Sequence, residues 1–343
     1  MNRHRNSFHK ARQRRKGLGR RQAASTGKPS STKLTADQWD IAHLRSHLQA
    51  AVDLEFWTLP FYLSAMYSIK DRSSDAYQLI RTVVNQEMLH LQSASNIANA
   101  YGLSPTFAAP KYEGTNIPHL DFSGDDLDEI DKFKPYTATI GALDLEHVNA
   151  MCLIEIPEYL TGETGDLNEN VTEYGSIGAF YDALRYGASL LTDHLHGGVK
   201  QVDFFSAYYR GMPSLKVIDD GADGFDQVSL LIDLITDQGE GATKEDETVL
   251  PAFQNTADDV APELDHFDKF LAIKDAKELP ETFKGGGSGD QLQQILVSEF
   301  TDLRAALEHL FGGGNPQQFF PVMASVGGAI RNCWENGVSP RFS

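Results

Sequence analysis

Apolar residues recur at helical spacing along most of the chain, and few segments alternate apolar and polar positions as strands do. A first helical stripe follows a cap at Thr35 or Asp37 and continues to about Ile69. After the turn sequence KDRSSD, a second stripe runs from about 75 to 101 and stops at Gly102. Two helices joined by a short turn pack side by side in opposite directions, so the pattern predicts an antiparallel hairpin.

Six further helices are predicted after this hairpin. Residues 102–136 contain proline and glycine without a helical stripe, so we expect an irregular crossover there. The later helices are expected at about 140–156, 175–192, 225–238, 258–275, 290–311 and 316–335. Pro262 is tolerated in the sixth helix because it falls in the first turn. The fold class that this pattern indicates is an all-α bundle.

Residues 1–33 differ from the rest of the chain in charge. They hold 11 of the 30 Lys and Arg residues and no Asp or Glu, which is typical of a disordered basic tail. An Arg-rich segment without acids also fits an organelle transit peptide, a nucleic-acid-binding arm or a flexible start. Residues 34–343 hold 19 basic and 48 acidic residues, a net charge of −29. We therefore expect one folded helical domain at 34–343 that repels nucleic acid, which only the tail could bind.

The composition excludes several classes of protein. Cys152 and Cys333 are the only cysteines, so neither a disulfide scaffold nor an all-cysteine metal site can form. No segment approaches the roughly 18 consecutive apolar residues that a membrane-spanning helix needs. The first residues also lack the apolar run of a secretory signal. We expect a cytoplasmic protein that does not bind membranes.

The second predicted helix carries a Glu-x-x-His sequence, Glu87-Met-Leu-His90, within its apolar stripe. Residues three apart share one face of a helix, so both side chains can reach the same ion. By itself such a pair more often lies on a solvated face or in a core salt bridge. Glu55 favours the metal site, because it lies on the stripe of the first helix and about as far before the turn near Arg72 as the pair lies after it. In an antiparallel hairpin the three residues are at one height and form half of a dimetal carboxylate site.

The second half of such a site has several candidates. Glu263-Leu-Asp-His266 is another Glu-x-x-His, expected on the sixth helix. Glu155 lies in the apolar run MCLIEIP, where an unpaired carboxylate is costly to bury, and Glu158 is its less buried rival. Glu240 lies between two glycines in QGEG, and glycines let the backbone approach a ligand closely. Four carboxylates and two imidazoles would suit two ions of iron or manganese, and zinc or copper also fit these ligand types.

These residues lie in a series of motifs that resembles one family. The motifs are, in order, LRSHLQAAVDLEFWTLPFYLSAMYSIK, VVNQEMLHLQSASNIANAYG, IPHL, MCLIEIPE, GSIGAFYDAL, QGEG and ELDHFDKF. They resemble the ferritin-like domain of the iminophenyl-pyruvate dimer synthases of bisindole biosynthesis and of free-standing relatives. The resemblance covers roughly residues 35–335 and implies a ferritin-like four-helix bundle with additional helices. It also implies that the family's site positions are occupied by Glu55, Glu87, His90, Glu155, Glu263 and His266.

The chain departs from that family at Ala179. In the segment matching GSIGAFY, the family carries an acidic residue at this position. If that acid is a metal ligand, the site of this chain is altered and holds one ion or none. If Glu155 is the ligand instead, the alanine is harmless.

The resemblance implies an activity of a general kind. The named synthases are much longer multidomain chains that couple two indolic imines oxidatively, and this chain corresponds to their ferritin-like part. We therefore expect a di-iron oxidase or oxygenase that uses O2 on a small, aromatic or amino-acid-derived metabolite. Two alternatives stay open, a ferroxidase or other metal-handling protein and a metal-free structural bundle. A homo-oligomer is compatible with each of them.

Overall fold

The computed structural model describes residues 32–112, 117, 130–134, 138–157, 160, 165–171, 174–205, 208–209, 214–239 and 248–343. Within these residues the chain forms eight α-helices and no strand, which confirms the all-α prediction. The helices are α1 (Ile41–Ser68), α2 (Asp75–Ala100), α3 (Leu145–Ile154), α4 (Ile177–Ser189), α5 (Gly221–Gly239), α6 (His266–Lys274), α7 (Asp290–Phe311) and α8 (Phe319–Glu335). Of the helices described, none has the length and apolar character that crossing a membrane requires. The division of the chain at residue 34 stays a prediction, because residues 1–31 lie outside the described part.

The first helix begins later than the sequence predicts, because Asp40 caps it. The Asp40 carboxylate accepts hydrogen bonds from two backbone N–H groups of the first turn, which have no partner inside the helix. Thr35 and Asp37 instead lie in the turn that precedes α1. The cap of α2 is Ser74, whose hydroxyl accepts from the backbone N–H of Tyr77.

The hairpin of α1 and α2 lies at the centre of the fold. Every residue of α2 from Gln86 to Ala100 is buried, so other elements surround this helix on all sides. The core includes Leu48 and Tyr62 of α1 and Val83 of α2, which the apolar stripes predict. Any charged side chain on the inner faces of these helices therefore needs a partner within the protein.

Four shorter helices complete the bundle in two packed pairs. α3 packs on α6, and α4 packs on α5. α4 also contacts α1, whereas α5 and α6 both contact α2. Glu155 is the C-terminal cap of α3, and His266 is the first residue of α6. Two candidate ligands thus lie at helix ends, where α3 meets α6.

The last two helices form a second hairpin outside the bundle. α8 packs on α1, and α7 contacts α2. Phe300 of α7 stacks on Phe56 with ring centroids 5.5 Å apart, and the Trp334 indole N–H donates to the carbonyl of Ser64. These contacts pack α1 against the second hairpin.

The predicted helix at 258–275 is wrong in its first half. Asp265 caps α6 by accepting a hydrogen bond from a backbone N–H of the first turn, so the helix begins at the next residue. Upstream, the Asp259 carboxylate accepts from the backbone N–H two residues later, a local bond that competes with helix formation. Pro262 and Glu263 therefore lie in a turn and not in a helix.

Candidate metal centre

Five of the seven predicted ligands meet between α1, α2, α3 and α6. α1 supplies Glu55, α2 supplies Glu87 and His90, the end of α3 supplies Glu155, and the start of α6 supplies His266. These residues are at most 3% exposed. Three carboxylates cannot stay ionised in such a place without positive charge close by.

The two imidazoles face the carboxylates through their Nδ1 atoms. His90 Nδ1 lies 3.7 Å from Glu55 Oε2 and 3.6 Å from Glu87 Oε1. His266 Nδ1 lies 3.0 Å from Glu87 Oε1 and 3.5 Å from Glu155 Oε2. The rings themselves are stacked with centroids 5.2 Å apart. Glu87 is therefore shared by both imidazoles, and each imidazole has one further carboxylate of its own.

One oxygen of each carboxylate is held by a hydroxyl group. Such a bond fixes the rotation of the carboxylate and leaves its second oxygen turned toward the imidazoles. The three pairs are Tyr181 donating to Glu55 at 2.5 Å, Thr58 donating to Glu87 at 2.5 Å, and Tyr62 donating to Glu155 at 2.6 Å. The three hydroxyl groups thus orient all three carboxylates toward the two imidazoles.

Burial and mutual charge shift the pKa values of this group. For Glu55, burial and then the charge of Glu87 raise the pKa well above its usual range. Burial also acts to raise the pKa of Glu87, but the two imidazoles outweigh it and lower the pKa to about 2. For His266, burial acts to lower the pKa, yet Glu155 and Glu87 raise it to about 9. Without a cation, the raised pKa values of His266 and Glu55 favour their protonated forms, and a metal ion would compete with those protons.

The donor atoms fit a metal ion better than they fit one another. His266 Nδ1 is buried and close to Glu87, but it makes no hydrogen bond of acceptable alignment among the described residues. The carboxylates of Glu87 and Glu155 therefore approach this nitrogen as charges and not as aligned hydrogen-bond acceptors. A cation between this atom and the carboxylates would satisfy it. One ligand atom from each of Glu87, His90 and His266 lies within 4.8 Å of the others, which is close enough to hold one ion.

Comparison with known proteins agrees with this architecture. A family model described as ferritin-like matches residues 48–275, which include all five residues of the group. The chain belongs to the ferritin-like family. This ferritin-like chain is 43% identical to a ferritin like protein from Caulobacter vibrioides, whose crystal structure was determined at 1.95 Å resolution. The match covers 89% of this chain and 99% of that chain, with a TM-score of 0.78. A comparison with curated proteins found no match.

Glu263 does not join the group in this ferritin-like chain. It is exposed in the turn before α6, whereas His266 is fully buried. A spacing of three residues places two side chains on one face only within a helix, and α6 begins after Glu263. The prediction of a helical Glu-x-x-His is therefore wrong at Glu263, although its histidine reaches the group.

Two other candidate carboxylates lie outside the described residues. They are Glu158 and Glu240, and Glu240 stays a predicted ligand. Gly239, the last residue of α5, lies beside the group, because a Cβ atom built there would be 3.4 Å from Glu155 Oε2. The described residues bring together three carboxylates and two imidazoles.

Ala179 is fully buried in the first turn of α4. Its backbone N–H donates to the hydroxyl of Ser176, the cap of that helix. The two described carboxylates that face His266 belong to Glu87 and Glu155, and neither comes from α4. α4 instead contributes the phenol of Tyr181, two residues further along.

The predicted ligand set does not include the polar residues that surround the ligands. Thr58 and Tyr62 lie three and seven residues after Glu55 on the same helical face, so their hydroxyls could have been assigned to the group. Gln86 and Gln238 face the outer nitrogens of the two imidazoles. Neither glutamine has a charge or a spacing that marks it in the sequence.

Proposed function

We propose that this protein holds two transition-metal ions between α1, α2, α3 and α6 and uses them with O2 to oxidise a small metabolite. The observation that carries this proposal is the buried group of three carboxylates whose free oxygens all face two imidazole nitrogens. One ion would be held by Glu55 and His90, the other by Glu155 and His266, with Glu87 shared between them. Oxygen and nitrogen donors of these kinds suit iron or manganese, and we favour iron.

Iron held by these residues would supply the electrons that reduce O2 while a substrate is oxidised. The residues of the chain orient the ligands and exclude water. Burial, followed by the charges of nearby carboxylates, raises the pKa of Tyr62 and Tyr181 well above the usual range. Both phenols therefore keep their protons, donate to Glu155 and Glu55 respectively, and hold these carboxylates in one rotamer.

The substrate that we propose is aromatic or derived from an amino acid. This part of the proposal is supported by the ordered motifs that resemble the iminophenyl-pyruvate dimer synthases, and by the aromatic side chains beside the group. Tyr62 packs against Phe270 and Phe61, with ring centroids 5.1 and 6.0 Å apart. We propose no nucleic acid or membrane partner for the helical domain, and a homo-oligomer is compatible with the site.

Elemental analysis of the purified protein tests the metal centre. After anaerobic loading with Fe(II), we expect about two ions per chain in the wild type, as dimetal carboxylate bundles hold. We expect a loss of both in a Glu87→Ala/His90→Ala double variant. Glu263→Ala is the matched control, because it removes an exposed carboxylate three residues from a ligand. Metal content near zero in the loaded wild type would contradict the proposal.

Oxygen consumption then separates an oxidase from a metal-handling protein. The iron-loaded protein is mixed with O2 in the presence and absence of a panel of indolic and phenylpyruvate-type compounds. Consumption that continues catalytically only with an organic compound supports the oxidase. Rapid oxidation of many added Fe(II) ions per chain, together with a shell-like assembly on size-exclusion chromatography, would instead identify a metal-handling protein.

A further inference from the structure

The outer nitrogen of each imidazole in the group faces a glutamine side chain. His90 Nε2 lies 3.1 Å from Gln238 Oε1, and His266 Nε2 lies 3.1 Å from Gln86 Oε1. Both glutamines are at most 1% exposed. An imidazole that binds metal through one nitrogen donates its other N–H to an acceptor, and that acceptor fixes the tautomer and the ring orientation.

The amide of Gln238 has a fixed orientation. Its Nε2 atom donates to the backbone carbonyl of Phe253 at 2.7 Å, and a carbonyl can only accept. Its Oε1 atom also accepts from the Tyr209 hydroxyl at 3.2 Å. The oxygen of Gln238 must therefore face His90, so His90 carries its proton on Nε2.

The amide of Gln86 is fixed from both ends by charged groups. Its Nε2 atom lies 3.4 Å from the Asp259 carboxylate, which accepts, and 3.1 Å from the Thr256 hydroxyl. Its Oε1 atom lies 3.5 Å from the ammonium of Lys269, which only donates. The buried pair of Lys269 and Asp259, with N and O atoms 3.6 Å apart, thus sets the direction of the amide and with it the proton on His266 Nε2.

We propose that Gln86 and Gln238 are positioning residues that hold the Nε2–H tautomers of His266 and His90 and so present both Nδ1 atoms to the metal ions. The presentation of Nδ1 to metal ions rests on the proposed metal centre. The assignment of the two tautomers rests on the hydrogen bonds described above. A neutral amide does this without adding charge to a group that already contains three carboxylates. A carboxylate at the same place would accept the same bond but add a buried negative charge.

The two glutamines also tie α2 and α5 to the segment that precedes α6. Phe253, Thr256 and Asp259 all lie in the segment that leads into α6. A role limited to tethering this segment predicts that a glutamine variant loses stability and keeps its metal affinity. A positioning role predicts a loss of metal affinity that a variant with a retained acceptor recovers.

The test uses zinc, which is diamagnetic, and protein labelled with 15N in its histidines. The variants are Gln238→Met and Gln86→Met, which remove the acceptor at similar size, and Gln238→Glu, which keeps the acceptor but loses the donor to Phe253. Gln49→Met is the matched control, because Gln49 also tethers a loop, through the backbone of Thr106, and its hydrogen bonds among the described residues go to Asp53 and Thr106 and not to a histidine. Zinc affinity is measured by competition with a chelator, and the zinc-bound nitrogen is identified by NMR.

We expect both wild-type histidines to bind zinc through Nδ1 with a proton on Nε2. The two methionine variants are expected to bind zinc about 10- to 100-fold more weakly, the usual effect of losing such a partner. Gln238→Glu should recover most of the affinity lost in Gln238→Met while melting at a lower temperature, and Gln49→Met should bind as the wild type does.

Different outcomes would overturn different parts of the argument. A wild-type protein that binds neither zinc nor iron would refute the proposed metal centre itself. Zinc bound through Nε2 in the wild type, or methionine variants with unchanged affinity and unchanged Nδ1 coordination, would refute the role of the glutamines alone. If a methionine variant fails to fold, the wild-type coordination mode and the affinity of Gln238→Glu still decide the question.

Discussion

Glu87 is the side chain on which both halves of the proposed metal centre depend. Its Oε1 atom lies 3.0 Å from His266 Nδ1 and 3.6 Å from His90 Nδ1, so no other described carboxylate faces both imidazoles. We therefore predict that Glu87→Ala removes the stabilisation that metal gives to the folded protein. A ligand at 100 times its dissociation constant stabilises the fold by about 2.7 kcal/mol per site. At about 2 °C per kcal/mol for a chain of this size, this corresponds to about 5 °C per bound ion.

The assay is a thermal melt of protein treated with chelator and then returned to zinc or to anaerobic Fe(II). Adding metal should raise the melting temperature of the wild type by about 5 °C per bound ion. It should leave the melting temperature of Glu87→Ala unchanged. Glu263→Ala should keep the full shift, because its carboxylate is exposed and outside the group. A Glu87→Ala protein that keeps the wild-type shift would refute the placement of the ions between α1, α2, α3 and α6.

Three further predictions concern the surroundings of the ligands. Tyr181→Phe removes the hydroxyl bound to Glu55, and we expect it to lower the free energy of unfolding of the metal-loaded protein by about 1–3 kcal/mol, measured in urea. In metal-free protein the pKa of His266 is about 9 against an ordinary 6.5. Protonation of His266 therefore stabilises the fold fully below pH 6.5, and urea titrations should show this stabilisation lost, relative to His266→Gln, as the pH rises through 9. Ala179→Glu places a carboxylate at a fully buried site, so we expect a lower melting temperature and no additional bound iron by elemental analysis.

The hairpin half of the site could be predicted from the sequence because short-range geometry determines it. Once two apolar stripes flank a short turn, the turn fixes the relative height of Glu55, Glu87 and His90, and the helical period fixes their faces. Glu155 could be predicted for a different reason, because an acid within the apolar run MCLIEIP needs a buried partner.

The other half could be predicted only in part because it depends on where helices end. The sequence predicts His266 beside the group through a helix that does not extend far enough to carry Glu263, because Asp265 is the cap and α6 begins at His266 itself. The glutamine partners could not be predicted at all. The orientation of Gln238 is set by a backbone carbonyl at Phe253, and periodicity does not locate a carbonyl in a loop.

The positions of the ligands along the chain determine the stage of folding at which the complete group can form. Glu87 and His90 are neighbours on one helix, but Glu55, Glu155 and His266 come from three other elements spread over most of the described chain. Because the complete group requires α6 to be docked on α2 and α3, a metal ion would be captured late, by a protein that has already folded. Interactions that form after the folding barrier slow unfolding and leave the folding rate unchanged. Bound ions would therefore lengthen the lifetime of the folded bundle without guiding its folding.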